Sequence, residues 1–119
     1  MTTGPRDLDP DTVYANAPDI LSEISWVTGP GRLREAEEKR EILLRNAALC
    51  DRIALRGAAH QSVPDTITKL VENALFAAYE LVEHDIEHRG LSLRASELVT
   101  SQDYRDYVRQ EYLAWSRAS

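Results

Sequence analysis

The chain has 119 residues, of which 43% are hydrophobic and 29% charged, and its formal net charge is -6. That length builds one core comfortably and not two, and the hydrophobic content excludes a wholly disordered chain. The acidic balance argues against nucleic acid as the main partner, because phosphate binding needs a concentrated basic surface.

Residues 1–15 (MTTGPRDLDPDTVYA) lack periodicity and are rich in Pro, Asp, Thr and Gly. They read as a loosely ordered arm, with Val13 and Tyr14 the residues able to tack it down. Residues 16–119 read as a single helical domain. A short first helix follows the arm, with Asn16 as its N-cap and Pro18 and Asp19 in the first turn. Its apolar residues Ile20, Leu21, Ile24 and Val27 recur at helical spacing, and Thr28-Gly29-Pro30-Gly31 stops it.

The next periodic segment runs from about Pro30 to Arg56. Ala36, Leu43, Ala47, Cys50 and Ala54 form its stripe, flanked by Ile42, Leu49 and Ile53. Arg34, Glu38, Glu41, Arg45 and Arg52 fall on the opposite face at ion-pair spacing. Asn46 and Lys39 intrude on the apolar side, and Asn46 reads as a buried amide that fixes register. Gly57 ends the segment. The short link to Gln61 returns the chain antiparallel.

Ser62 to Gly90 is the longest and best-punctuated helix. Ser62 and Asp65 fit a capping box, and Gly90 with Leu91 fits a left-handed C-terminal stop. Ile67, Leu70, Val71, Ala74, Ala78, Leu81 and Val82 share one face, widened by Leu75, Ala77, Tyr79 and Ile86. A face this broad implies either a central position in a bundle or a second chain. Phe76 sits on the polar side, where an exposed Phe marks contact with another helix or chain. Thr100 and Asp103 form a second capping-box pattern, opening a last helix over about 101–117. Tyr104, Tyr107, Val108, Tyr112 and Trp115 recur along it as an aromatic stripe. The stripe reads first as core packing, with tyrosine hydroxyls at its rim suited to a partner surface.

The fold expected is therefore all-α: a long antiparallel helical hairpin, a short helix before it and an aromatic helix after it, bundle-like and open to completion by dimerisation. Cys50 is the only cysteine, so no intramolecular disulfide forms. With no signal-peptide pattern, a reducing cytoplasm is favoured. No apolar run approaches the ~20 residues of a membrane span, which sets a membrane partner aside.

Chemistry is conceivable at the open end of the hairpin. Asp85 falls in the middle of an apolar face, with His84 and His88 beside it, and antiparallel pairing brings Arg32, Glu35 and Lys39 to the same end. The simplest reading is an ion-paired helix end in which Asp85 meets Arg32 or Lys39. The chemical alternative is a divalent metal held by His84, His88, Asp85 and Glu35 in a helical metal binder or metal-dependent hydrolase. His84-Asp85-Ile86-Glu87-His88 also fits H-x-x-E-H, but the peptidases using that pattern need a larger fold. Glu37-Glu38-Lys39-Arg40-Glu41 reads E-E-x-x-E, similar to the first acidic motif of all-α nucleotide pyrophosphohydrolases. That family holds Mg²⁺ between paired helices with a second motif E-x-x-D; here the facing residues, Glu80 and Glu83, give E-x-x-E. Glu38, Glu41, Glu80 and Glu83 lie opposite their apolar stripes, so a solvated charge run is favoured.

No complete nucleophile, phosphate loop or metal set is present, and no cofactor is implied. The functional expectation is a small cytoplasmic interaction or regulatory protein without catalysis, forming a homodimer or meeting another protein through Phe76, Tyr79, Tyr104, Tyr107, Tyr112 and Trp115.

Overall fold

A computed structural model of the chain describes residues 9–29, 36–60, 63–89 and 100–118. Five helices follow one another among them: α1 (Pro10–Val13), α2 (Ile20–Thr28), α3 (Ala36–Ala59), α4 (Pro64–Arg89) and α5 (Ser101–Ala118). The described residues contain no strand. The architecture is the all-α bundle that the periodicity predicts. α3 and α4 form the long antiparallel hairpin, α5 packs on both, α2 lies against α3, and α1 touches α5.

Local chemistry accounts for most of the helix ends. α1 is a single turn, capped by Asp9 with Pro10 in its first turn, and its Val13 is buried at 3% exposure. α2 is capped by Asp19, whose carboxylate accepts from the Ser22 amide at 3.2 Å and the Ser22 hydroxyl at 2.7 Å. The expected cap Asn16 is not used, because Asp19 reaches the first turn while Asn16 lies in the preceding turn. At α5 the capping box forms reciprocally. The Thr100 amide donates to Asp103 at 2.9 Å, and the Asp103 amide donates to the Thr100 hydroxyl at 3.1 Å. The corresponding expectations for Ser62 and for Gly90 with Leu91 lie outside the described residues.

α3 does not stop at Gly57. Gly57 is buried within it, and the helix runs on through Ala58 and Ala59, both good helix formers. Its inner stripe is also rotated from the expected one. The residues turned to the core are Leu44, Ala47, Ala48, Asp51 and Ala54, whereas Leu43 and Cys50 are half-buried. Arg40 continues this row at the same three- and four-residue steps, so the stripe carries a charged residue, Arg40, at one end and another, Asp51, near the other.

The core is an alanine-lined seam with an aromatic lid. Ala47 and Ala48 of α3 meet Ala77, Ala78, Leu81 and Val82 of α4, and Tyr107, Val108 and Tyr112 of α5 close over them. Small side chains let α3 and α4 approach closely, and the rings of α5 fill the volume above. α4 is therefore central, and packing against α3 and α5 covers much of its apolar face, while Tyr79 and Ile86, which were expected to widen it, stay exposed.

Candidate functional site

Among the described residues three carboxylates lie almost completely buried: Glu23 at 1% exposure, Asp51 at 1% and Asp85 at 0%. An isolated buried charge is costly and persists only when paired and hydrogen-bonded. Each of the three meets guanidinium groups from another helix.

Asp85 on α4 is held by Arg40 of α3 through two bonds of 2.8 Å, Nε to Oδ1 and Nη2 to Oδ2. The Tyr107 hydroxyl of α5 donates to Oδ2 at 2.6 Å, and Arg40 Nη2 also reaches Glu111 at 2.9 Å. Burial would raise the Asp85 carboxyl, but the Arg40 guanidinium and the Tyr107 hydroxyl outweigh it and hold the group below its ordinary value. Burial and the adjacent Asp85 charge push the Tyr107 hydroxyl well above the usual tyrosine range. Asp85 is thus ion-paired, with a partner that differs from the expected ones. Lys39 is exposed, Arg32 lies outside the described residues, and Arg40, on the same row as Leu44 and Ala47, is the residue directed inward.

Asp51 on α3 is enclosed further. Arg109 contacts it through Nε at 2.8 Å and Nη2 at 3.0 Å, Arg105 Nε at 2.7 Å, and the Tyr14 hydroxyl at 2.6 Å. Burial opposes its ionisation; Arg109 and Tyr14 overcome that and depress the carboxyl. Burial, and then the Asp51 charge, raise Tyr14 far above the usual range. Tyr14 is also edge-on to Tyr112 with centroids 5.4 Å apart, so the segment after α1 is fastened by both a hydrogen bond and a ring contact.

Glu23 on α2 accepts from Arg45 of α3 at 2.8 and 2.7 Å. The same guanidinium lies 3.6 Å above the Trp26 ring, lies 5.5 Å from that of Trp115, and donates to Glu41 at 2.9 Å. This arrangement rotates the expected face of α2, leaving Ile20 and Val27 half-buried. Glu23 is inside, while Leu21 is 76% and Ile24 37% exposed. Pairing Glu23 with Arg45 fixes which side of the helix turns inward.

The expected metal set is only partly assembled. His84 is buried, with Nδ1 3.5 Å from Asp85 Oδ1, and its ring nitrogens make no hydrogen bond. His88 is exposed and its Nδ1 donates to the His84 carbonyl at 3.0 Å. The two rings stack at 4.3 Å with planes 21° apart. Lone pairs lie in the ring planes, so stacked imidazoles direct them side by side and not toward a common ion. Asp85 is committed to Arg40 and Tyr107, and Glu35 lies outside the described residues. Among those residues no group of three or more His, Cys, Asp and Glu side chains is placed to hold a metal. Of the E-E-x-x-E run, Glu41 accepts from Arg45, and the facing Glu80 and Glu83 are exposed.

The aromatic surface expected along α5 divides. Tyr107 and Tyr112 are core residues at 3% and 2% exposure, so neither supplies a partner surface. They sit over the alanine seam, where only large rings fill the space. Trp115 is half-buried with its centroid 5.4 Å from Tyr112. Tyr104 is half-buried against Tyr79, with centroids 5.9 Å apart. Phe76 and Tyr79 remain outside, at 67% and 50% exposure. An open groove of about 370 Å³ runs beside them, lined by Leu75, Phe76, Tyr79, Thr100, Ser101 and Tyr104.

Asp51, Glu23 and Tyr14 went unread in the sequence as a connected set. The signal was present: Asp51 follows Ala47 by four residues and precedes Ala54 by three, and Glu23 stands between Ile20 and Val27 at the same steps. A carboxylate in a helical stripe implies a cation on a neighbouring helix, but periodicity does not say which one.

Asp51 accepts four hydrogen bonds from guanidinium and phenol donors, Asp85 three and Glu23 two, so the three clusters tie neighbouring helices together. Cys50 is half-buried and burial raises its thiol, which disfavours the reactive thiolate. No known protein family, curated protein or solved structure matches this chain.

Proposed function

We propose that the protein is a small interaction or regulatory module of the cytoplasm, without catalytic activity, that engages a protein partner through the outer face of α4. The observation that carries the reading is Phe76, 67% exposed on a helix whose other large apolar residues are mostly packed, with Tyr79 and the groove beside it. Covering such a ring gains roughly 1.5–3 kcal/mol, which favours a partner over water. The buried carboxylates Glu23, Asp51 and Asp85 are each engaged by guanidinium groups, which supports the same reading. Among the described residues no helix is long and apolar enough to cross a membrane.

A photo-crosslinking phenylalanine analogue at position 76, in the full chain in its native cells, tests the reading. Discrete protein adducts are expected there, whether with a second copy or another protein, and not from the same analogue at exposed Ala114 on α5. Equal labelling at both positions, with a monomer persisting in concentrated solution, would end it.

The alternative is a metal-binding helical protein or hydrolase using His84, Asp85 and His88. Its support is the buried His84 ring whose nitrogens lack hydrogen bonds. Zn²⁺, Mn²⁺ or Mg²⁺ should then raise the melting temperature, with the rise abolished in His84→Ala and His88→Ala. No rise with any of the three removes this alternative.

A further inference from the structure

The outer face of α4 carries more than an exposed ring. Phe76 has Glu72 one helical turn before it and Glu80 one turn after it, and Glu83 follows Tyr79 by four residues. All three glutamates are exposed. Among the described residues none of the three forms an ion pair, and Lys69 is the one cation on this side of the helix. The contrast with the interior is sharp, since every fully buried carboxylate there has a guanidinium partner. The charge of Glu83 also raises the Tyr79 hydroxyl, which places that carboxylate at the edge of the aromatic patch.

We infer that the partner is a cationic amphipathic helix, one whose apolar stripe covers Phe76 and Tyr79 and whose flanking Lys or Arg residues meet Glu72, Glu80 and Glu83. This rests on the interaction reading above and adds the partner's chemistry to it. An apolar centre with a charged rim is the usual anatomy of a protein-binding patch. A rim of one sign selects a partner of the other sign and speeds its approach. The groove of about 370 Å³ beside Tyr79 and Tyr104 accepts a large apolar side chain from such a helix. A second copy matches this rim less well: a two-fold axis through Phe76 would set Glu72 against the other copy's Glu80, acid against acid, and only Glu83 would meet a cation, Lys69. Nucleic acid and anionic lipid are repelled by the same rim.

The test uses the full chain and two labelled helical peptides with the same leucine stripe, one flanked by Lys and Arg and the other by Glu, followed by fluorescence anisotropy. The cationic peptide should bind and the acidic one should not. Affinity should fall about tenfold or more between roughly 0.05 and 0.5 M salt. Phe76→Ser should cost about tenfold or more at every salt concentration. The triple variant Glu72→Gln, Glu80→Gln, Glu83→Gln should weaken binding at low salt and flatten the salt dependence. Equal binding of the two peptides, binding unaffected by Phe76→Ser, or no binding of either overturns the inference. If neither peptide binds while position 76 still crosslinks, the surface reading stands and the cationic partner falls. Adducts with a second copy alone also overturn the cationic partner, in favour of self-association.

Discussion

Glu83 and Asp85 stand two residues apart on α4 and occupy opposite environments. Asp85 is fully buried and accepts from Arg40 and Tyr107, so its charge ties three helices together. Glu83 is exposed beside Tyr79 and Phe76 and faces water. The same contrast holds for the rings: Tyr107 and Tyr112 close the core, while Phe76 and Tyr79 look out. The inner acids are paired with guanidinium groups within the chain, and the outer glutamates beside Phe76 and Tyr79 form no ion pair among the described residues. α4 packs inward through the paired side, and the recognition proposed above rests on the exposed one.

Substitutions should separate the two sides cleanly. The largest loss is expected for Asp51→Ala, which strands Arg109 and Arg105 beside a buried gap. About 3–5 kcal/mol should disappear from the urea unfolding free energy, and an unchanged midpoint would show that the cluster holds nothing. Asp85→Ala should cost somewhat less, because Arg40 keeps 18% of its side chain exposed and retains Glu111. The double variant Arg40→Met, Asp85→Leu should recover much of that loss, since apolar replacement removes the desolvation cost of both charges. If the double variant is as unstable as the single, the ion pair is itself a net source of stability.

Next in size is the pH response. Asp51 and Asp85 are held below their unfolded values, so the unfolded chain takes up protons first as pH falls. The stability they contribute is present above about pH 4 and lost below it, as pH falls through the lower folded values. Tyr14 and Tyr107 are raised, so their contribution is complete below about pH 10 and is lost as pH climbs further. Unfolding followed by circular dichroism across pH should show both flanks, and Asp51→Asn should soften the acid one. Tyr107→Phe should cost about 1.5–3 kcal/mol in the same urea assay, the worth of one hydrogen bond to a charged acceptor that keeps Arg40. The smallest effect belongs to the outer face. Phe76→Ser should change stability by under about 0.5 kcal/mol, and a loss above about 2 would place the ring in the core.

The sequence was most legible where a short-range rule decides the outcome. Thr100 and Asp103 sit three residues apart and form their reciprocal bonds with little help from the rest of the fold. The apolar spacing of residues 67–82 marks a buried helix face in the same way. Phe76 stood out as a ring among glutamates, and it is exposed. Reading failed where two local choices were nearly equal. Asn16 and Asp19 are both good caps, and Asp19 is the one that reaches Ser22. Ile20, Leu21, Ile24 and Val27 offer α2 an apolar stripe, but a neighbouring row with Glu23 and Trp26 faces inward. Leu43 and Cys50 suggest one stripe for α3, and Leu44, Ala48 and Asp51 suggest another about one residue around the helix.

By itself the sequence determined that the chain is helical, where most of its helices lie and that the two longest return on each other. Those outcomes follow from periodicity, capping and short links, all set within a few residues. Only the tertiary structure decided which guanidinium each carboxylate meets. Arg40, Lys39 and Arg45 are all cations, and each is separated by many residues from any acid it could bind on another helix. The choice falls to the register and rotation of α3 against α2, α4 and α5, fixed by close packing of Ala47 and Ala48 on Ala77 and Ala78. Once that seam sets the rotation, Arg40 and Asp51 point inward and must be paired, and Glu72, Glu80 and Glu83 are left facing outward.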